Sequence, residues 1–178
     1  MNPASPPIGL GAGDASGDGK ILGLDYGRVR IGLAVAESLQ GIALPFGTLH
    51  RINRNEDMRR LREFVRDHGV KLVVVGLPLR LDGSRGEMAE ETARFAQRLR
   101  KQIGVSVEMA DERLTSWQAE RVLEEEFGRK SKHTEGASKK KGAEKFTVDS
   151  VAATIVLREY LARIPGATEQ PRAGGSLK

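Results

Sequence analysis

Lys20-Ile21-Leu22-Gly23-Leu24-Asp25-Tyr26-Gly27-Arg28-Val29-Arg30-Ile31-Gly32-Leu33-Ala34-Val35-Ala36 reads as two apolar strands joined by a turn, with one carboxylate, Asp25, inside the first apolar run. An ionised carboxylate in a buried strand is costly unless it is hydrogen-bonded, paired or bound to a cation. Gly27 and Gly32 suit a tight turn and a close backbone approach by a ligand, and Arg28 and Arg30 set positive charge beside it. Two readings stay open on these residues alone: a hairpin whose Asp caps its own turn, or a site that needs further acids at other strand ends.

Working outward, Ser38 to Gly41 turns the chain into a third run, Ile42 to Leu49, which predicts a three-stranded antiparallel meander. Asn53 to Asn55 offers caps for a helix with Met58, Leu61, Phe64 and Val65 at helical spacing, closed by His68-Gly69. Val70 to Gly76 is nearly continuous and β-branched, as in a strand buried on both faces, and a helix followed by such a strand signals a parallel crossover. The loop Leu77 to Ser84 then lies at the carboxyl edge, where open α/β sheets place ligands. A second helix presents Met88, Thr92, Phe95, Ala96, Leu99 and Ile103 inward, and Val105, Val107 and Met109 alternate as a fifth strand running into Asp111-Glu112-Arg113. Thr115 and Gln118 have capping-box spacing for a third helix, Ser116 to Phe127, with Trp117 as an anchor. A last helix begins near Phe146, with Val148, Val151, Ala152 and Ile155 on one face. Residues 1–18 and 163–178 have the composition of disordered tails, so one domain is expected over 19–162, interrupted by a mobile basic loop at 128–146.

The chain of 178 residues is long enough for a single core without staples. It has no cysteine, and its three histidines, His50, His68 and His133, are scattered, so any bound metal has oxygen ligands of the kind magnesium, manganese or calcium prefer. No stretch has the length of a membrane span, and the N-terminus lacks signal-peptide regions, so a cytoplasmic protein is expected. Arg129 to Lys145 holds seven basic and two acidic side chains and so carries the entire net charge of +5. A local basic arm of this kind fits a polyanion partner or a solvated linker.

Three acids stand at comparable positions: Asp25 in the first strand, Glu112 just past the fifth, and Asp149 in the first turn of the last helix. Carboxylates that converge repel one another, so such a cluster persists mainly around divalent cations, and two cations can hold a phosphodiester between an activated water and its leaving oxygen. The simpler readings are a helix-start acid favoured by the macrodipole for Asp149 and a solvated loop acid for Glu112.

The motifs LDYGRVRIGLAV, VVVGLPLRLDG, DERLTSWQAE and VDSVAA, in this order from Ile21 to Leu161, resemble the YqgF-type (RuvX-like) family of ribonuclease-H-like nucleases, associated with Holliday junction resolution and with pre-16S rRNA processing. The resemblance implies an α/β fold with a five-stranded mixed sheet of order 3-2-1-4-5 flanked by helices. It also implies a Mg2+- or Mn2+-dependent catalytic site of Asp25, Glu112 and Asp149 supported by Asp111 and Arg113. Arg28, Arg30, Arg80 and Arg113 around the acids, with Lys139, Lys140 and Lys141 on the basic arm, are the expected substrate contacts. Expected partners are nucleic acid, either pre-rRNA or branched DNA, with ribosomal particles and a homodimer as further candidates and no membrane. Two positions depart from the pattern: Ala36-Glu37 stands where the family usually reads Ser-Asp, and the basic loop is longer than is typical. An actin- or hexokinase-like ATP-handling protein also opens with a strand, an acid and glycines, but needs two such domains. A non-catalytic ribosome-associated module is the third reading.

Overall fold

A computed structural model describes residues 19–39, 41–112 and 147–164. The expected tails at 1–18 and beyond 164, the helix Ser116 to Phe127 with Trp117, and the basic loop at 128–146 lie outside the described residues. In chain order the described elements are β1 (Lys20–Tyr26), β2 (Arg30–Ala36), β3 (Leu44–His50), α1 (Arg54–His68), β4 (Val70–Leu77), α2 (Glu87–Gln102), β5 (Ser106–Asp111) and α3 (Val148–Ala162).

The strands form one sheet of order β3-β2-β1-β4-β5, the arrangement expected above. β1, β2 and β3 pair antiparallel, and β1-β4 and β4-β5 pair parallel. The β1–β2 turn is tight: Gly27 N donates to Arg30 O at 2.9 Å, and a Cβ on Gly27 would stand 2.6 Å from that oxygen. α1 begins at the N-cap Asn53, whose side chain accepts from the backbone of Asn55 and Glu56, and it ends on Gly69 at φ 65°, a left-handed cap suited to glycine.

Side-chain alternation divides the core between the two faces of the sheet. Leu22, Leu24, Tyr26, Val73 and Val75 meet Leu61 of α1 and Phe95 and Leu99 of α2. On the opposite face Ile21, Ala34, Ala36, Val74 and Ala110 meet Ala153, Val156, Leu157 and Leu161 of α3. α3 touches all five strands.

The face of α3 differs from the expectation. Val148 is 86% exposed, and Val151 and Ala152 are only partly buried, whereas Ser150, Ala153, Thr154 and Leu157 are buried together with Ile155. The reason lies in the sheet, which offers glycine where the helix crosses it. A Cβ on Gly23 would come within 2.8 Å of Leu157 Cβ and 3.0 Å of Ala153 O, and one on Gly32 would overlap the Asp149 carbonyl oxygen. The helix packs its small residues into this groove at backbone distance, and its β-branched Val148 is left outside. Gly32 thus makes room for a helix rather than for a ligand.

Candidate active site at the carboxyl edge of the sheet

The period-two alternation that buries Leu24 and Tyr26 under α1 and α2 turns Asp25 to the α3 face, opposite Gly32 in the β1–β2 ladder. Ala110 of β5 faces the same side, and Glu112, two residues on, follows it just past the strand end. β1, β4 and β5 run parallel, so Asp25 and Glu112 emerge at one carboxyl edge with β4 between them. The β4 residue at that level is Gly76, and a Cβ there would overlap Glu112 Oε1 and stand 2.8 Å from Val156 Cγ2. The missing side chain is the space through which the Glu112 carboxylate reaches toward Asp25.

Asp149 arrives on the first turn of α3, fixed by a capping box in which Ser150 N donates to Thr147 Oγ1 at 3.1 Å and Thr147 N donates to Ser150 Oγ at 3.0 Å. The Thr147 hydroxyl also meets that of Thr48 on β3, which ties the helix start to the sheet edge. Three segments far apart in sequence therefore bring three half-buried carboxylates to the same edge of the sheet, with Asp25 within charge range of both Asp149 and Glu112.

Their electrostatics record that proximity. Burial, and then the charge of Asp149, push the Asp25 carboxyl up to about 6, and burial, then Asp25 and Asp111, push Glu112 up to about 7. Among the described residues no three acid or histidine side chains are gathered tightly enough to enclose an ion. Asp149 is engaged by Arg30 through an Nε to Oδ2 ion pair of 2.9 Å. The donor set is carboxylate alone and its charges oppose one another, which fits a hard divalent cation.

A stability prediction follows from these two groups. A carboxyl whose folded pKa is raised keeps a proton that the unfolded chain has released, so its contribution is intact below the unfolded value near 4 and is lost as pH rises through 6 to 7. In EDTA the protein is expected to lose on the order of 3 kcal/mol from each group, about 6 kcal/mol from the pair, between pH 4 and pH 8. Thermal melts of wild type and of Asp25→Asn/Glu112→Gln check it: the double variant should show a flatter pH dependence, and equal slopes would refute the shifts.

The expected substrate arginines separate. Arg30 stands on the acid side but is engaged with Asp149, and Arg28 points to the other side of the hairpin, where it bridges Glu91 at 2.7 Å and Glu87 at 2.7 Å. Arg80 is exposed on the loop after β4, at the same edge as the acids. Arg113, Lys139, Lys140 and Lys141 lie outside the described residues. Gly76 escaped the sequence reading because its neighbours, Glu112 and Val156, come from distant segments. The small residues alternating along β2, Gly32, Ala34 and Ala36, were the legible sign that a helix backbone passes close above.

Among known proteins, the model of a family described as "RuvX: Holliday junction resolvase" matches residues 19–163. A protein of Caldanaerobacter subterraneus subsp. tengcongensis named "Putative pre-16S rRNA nuclease" is 37% identical over 142 residues, covering 80% of this chain and 95% of the relative. One of Koribacter versatilis with the same name is 39% identical over 153 residues, covering 86% and 93%. The Thermus thermophilus RuvC structure in complex with Holliday junction substrate aligns over 80% of this chain and 92% of RuvC at 15% identity and a TM-score of 0.48. The match spans the hairpin that carries Asp25, the strand edge that carries Glu112 and the helix that carries Asp149, and with it the chain belongs to the RuvX family of nucleases.

Proposed function

We propose that this protein is a divalent-metal-dependent endonuclease that hydrolyses phosphodiester bonds in structured nucleic acid, in 5′-end maturation of pre-16S rRNA, in resolution of Holliday junctions, or in both. The observation that carries the reading is the delivery of Asp25, Glu112 and Asp149 by three separate segments to one edge of the sheet, where burial and then Asp149 raise the pKa of Asp25, and burial and then Asp25 raise that of Glu112. Asp25, Glu112 and Asp149 would hold Mg2+ or Mn2+. A cation held there would lower the pKa of an attacking water and offset charge on the phosphate. The chain's own parts position the ligands: Gly76 leaves room for Glu112, the Thr147 capping box fixes the turn that carries Asp149, and Arg30 restrains the Asp149 carboxylate. Arg30, which pairs with Asp149, would also place a guanidinium for a phosphate oxygen at the site's edge. Arg80, Arg113 and Lys139 to Lys141 add positive charge for the same polyanion.

Ribosomal precursor particles are the setting this substrate implies, and the cytoplasm is the compartment. Among the described residues no helix is long and apolar enough to cross a membrane. Family membership favours a nuclease over an ATP-handling protein of the actin and hexokinase kind. The test offers wild-type protein a precursor 16S rRNA 5′ end and a four-way DNA junction, each with Mg2+, Mn2+ or EDTA. Metal-dependent cleavage of at least one is expected, and the ratio of the two rates assigns the substrate. Binding of both with cleavage of neither would leave a non-catalytic module.

A further inference from the structure

The face of the hairpin opposite the acids carries a second constellation. Tyr26, adjacent in sequence to Asp25 but pointing the other way, forms one wall of a cavity of about 420 Å³, also lined by Arg28, Arg51, Arg54, Glu91, Arg94 and Arg98. Five arginines against one glutamate is not the composition of a solvated helix face, where charges of both signs alternate.

Two of the arginines are already engaged. Arg51 is built into the protein: its Nε donates to Asp57 Oδ2 at 2.9 Å, its Nη1 donates to Tyr26 Oη at 2.8 Å and Gly27 O at 3.0 Å, and its guanidinium lies 4.8 Å from the Tyr26 ring centroid. Asp57, 1% exposed, is held in turn by Ile52 N at 3.0 Å. Arg28 is matched by Glu91 and Glu87. Arg54, Arg94 and Arg98 have no salt bridge among the described residues, and Arg98 Nε is buried with no hydrogen-bond partner there. With Asp57 behind the wall and Glu87 at the rim counted as well, the pocket keeps a formal charge of +2. Guanidiniums that converge without a counter-charge repel one another, and an anion that accepts from several forks at once removes that cost.

We propose that this pocket binds a phosphate group of the nucleic-acid backbone, so that the strand cut at the acids passes around the β1–β2 turn and is gripped on the other face of the sheet. The turn supports this path, since it carries Arg30 toward the acids and Arg28 toward the pocket. The polar lining suits a phosphate better than a base, and guanidinium forks match phosphate oxygens. The proposal rests on the nuclease reading only for the identity of the anion; the pocket itself is defined without the acids.

The test measures anisotropy of a labelled four-way junction and a labelled rRNA fragment with the full chain in EDTA, across a salt series. Arg94→Ala/Arg98→Ala, and separately the exposed pair Arg54→Ala/Arg94→Ala, should weaken binding at least about tenfold. Each pair should also flatten the slope of log affinity against log salt by about 1 to 2 units, equally on unrelated sequences. Thermal melts of both variants should match wild type. Inorganic phosphate and a nucleoside monophosphate should compete only at millimolar levels. Unchanged affinity and slope in both variants would overturn the proposal, as would tight binding of free phosphate or mononucleotide that needs these arginines while polynucleotide binding does not. Wild-type cleavage in Mg2+ with unchanged variant binding defeats the pocket alone. Arginine-dependent binding without wild-type cleavage supports the pocket and defeats the nuclease reading.

Discussion

Asp25→Asn, Glu112→Gln and Asp149→Asn are each expected to lower metal-dependent cleavage by about a thousandfold or more, roughly 4 kcal/mol of transition-state stabilisation, with the fold intact. Each substitution keeps the shape of the side chain and removes one anionic ligand, so the loss falls on cation affinity and on charge placement around the phosphate. Stability should move the other way. Asp25 and Glu112 are half-buried and burdened by neighbouring acids, so their neutral amides remove desolvation cost and repulsion from the metal-free protein, and at pH 8 in EDTA these variants should melt at or above the wild-type temperature. Asp149 differs, because its amide also gives up the ion pair with Arg30, and a small loss is expected there. Turnover and melting temperature on the same preparations check both statements. Near-wild-type turnover in any one variant would remove that residue from the ligand set.

Gly32→Ala is expected to cost about 3 kcal/mol or more, and to lower the melting temperature by about 10 °C. Its Cβ would overlap the backbone carbonyl of Asp149, which cannot turn aside as a side chain can, so α3 must lift from the sheet. That movement would also withdraw Asp149 from Asp25, and activity should fall with stability. Gly76→Ala sets a useful contrast. Its closest neighbour is the end of the flexible Glu112 side chain, with Val156 Cγ2 at 2.8 Å, so the protein can accommodate the methyl group by displacing the carboxylate. Activity should therefore fall in Gly76→Ala far more than stability does. Denaturant unfolding and cleavage assays on the two variants separate these patterns, and equal stability losses would contradict the assignment of Gly76 to site geometry.

The contrast shows what a linear reading captures. The β1–β2 hairpin, the Asn53 and Gly69 caps and the apolar run of β4 are decided by residues adjacent in sequence, and the sheet order was implied by the resemblance. Asp25 and Asp149 were legible as candidates because each interrupts a small or apolar setting, and Glu112, flanked by Asp111 and Arg113, because it follows the end of a strand. The burial of α3 was not, since large apolar side chains suggest a face that includes Val148, while the groove of Gly23, Gly32 and Gly76 selects the small-residue side. A groove assembled from three strands has no local signature in the helix that fills it. The arginine pocket was missed for the same reason: Arg51 lies in the connection after β3 and Arg54 at the start of α1, Arg94 and Arg98 lie a turn apart on α2, and only the packing of both helices on one face brings them together. The whole-chain charge drew attention to residues 129–145 instead, because a formally neutral remainder conceals a local concentration of positive charge.

Titration of Mn2+ into the metal-free protein at pH 8, followed by calorimetry and by the paramagnetic resonance of the free ion, tests the central claim without reference to substrate. The three carboxylates predict saturable binding of one or two ions per chain, displaced by Mg2+, weakened at pH 5.5 where protons compete at Asp25 and Glu112, and lost in Glu112→Gln. Absence of saturable binding, or binding that survives both Asp25→Asn and Glu112→Gln unchanged, would contradict it.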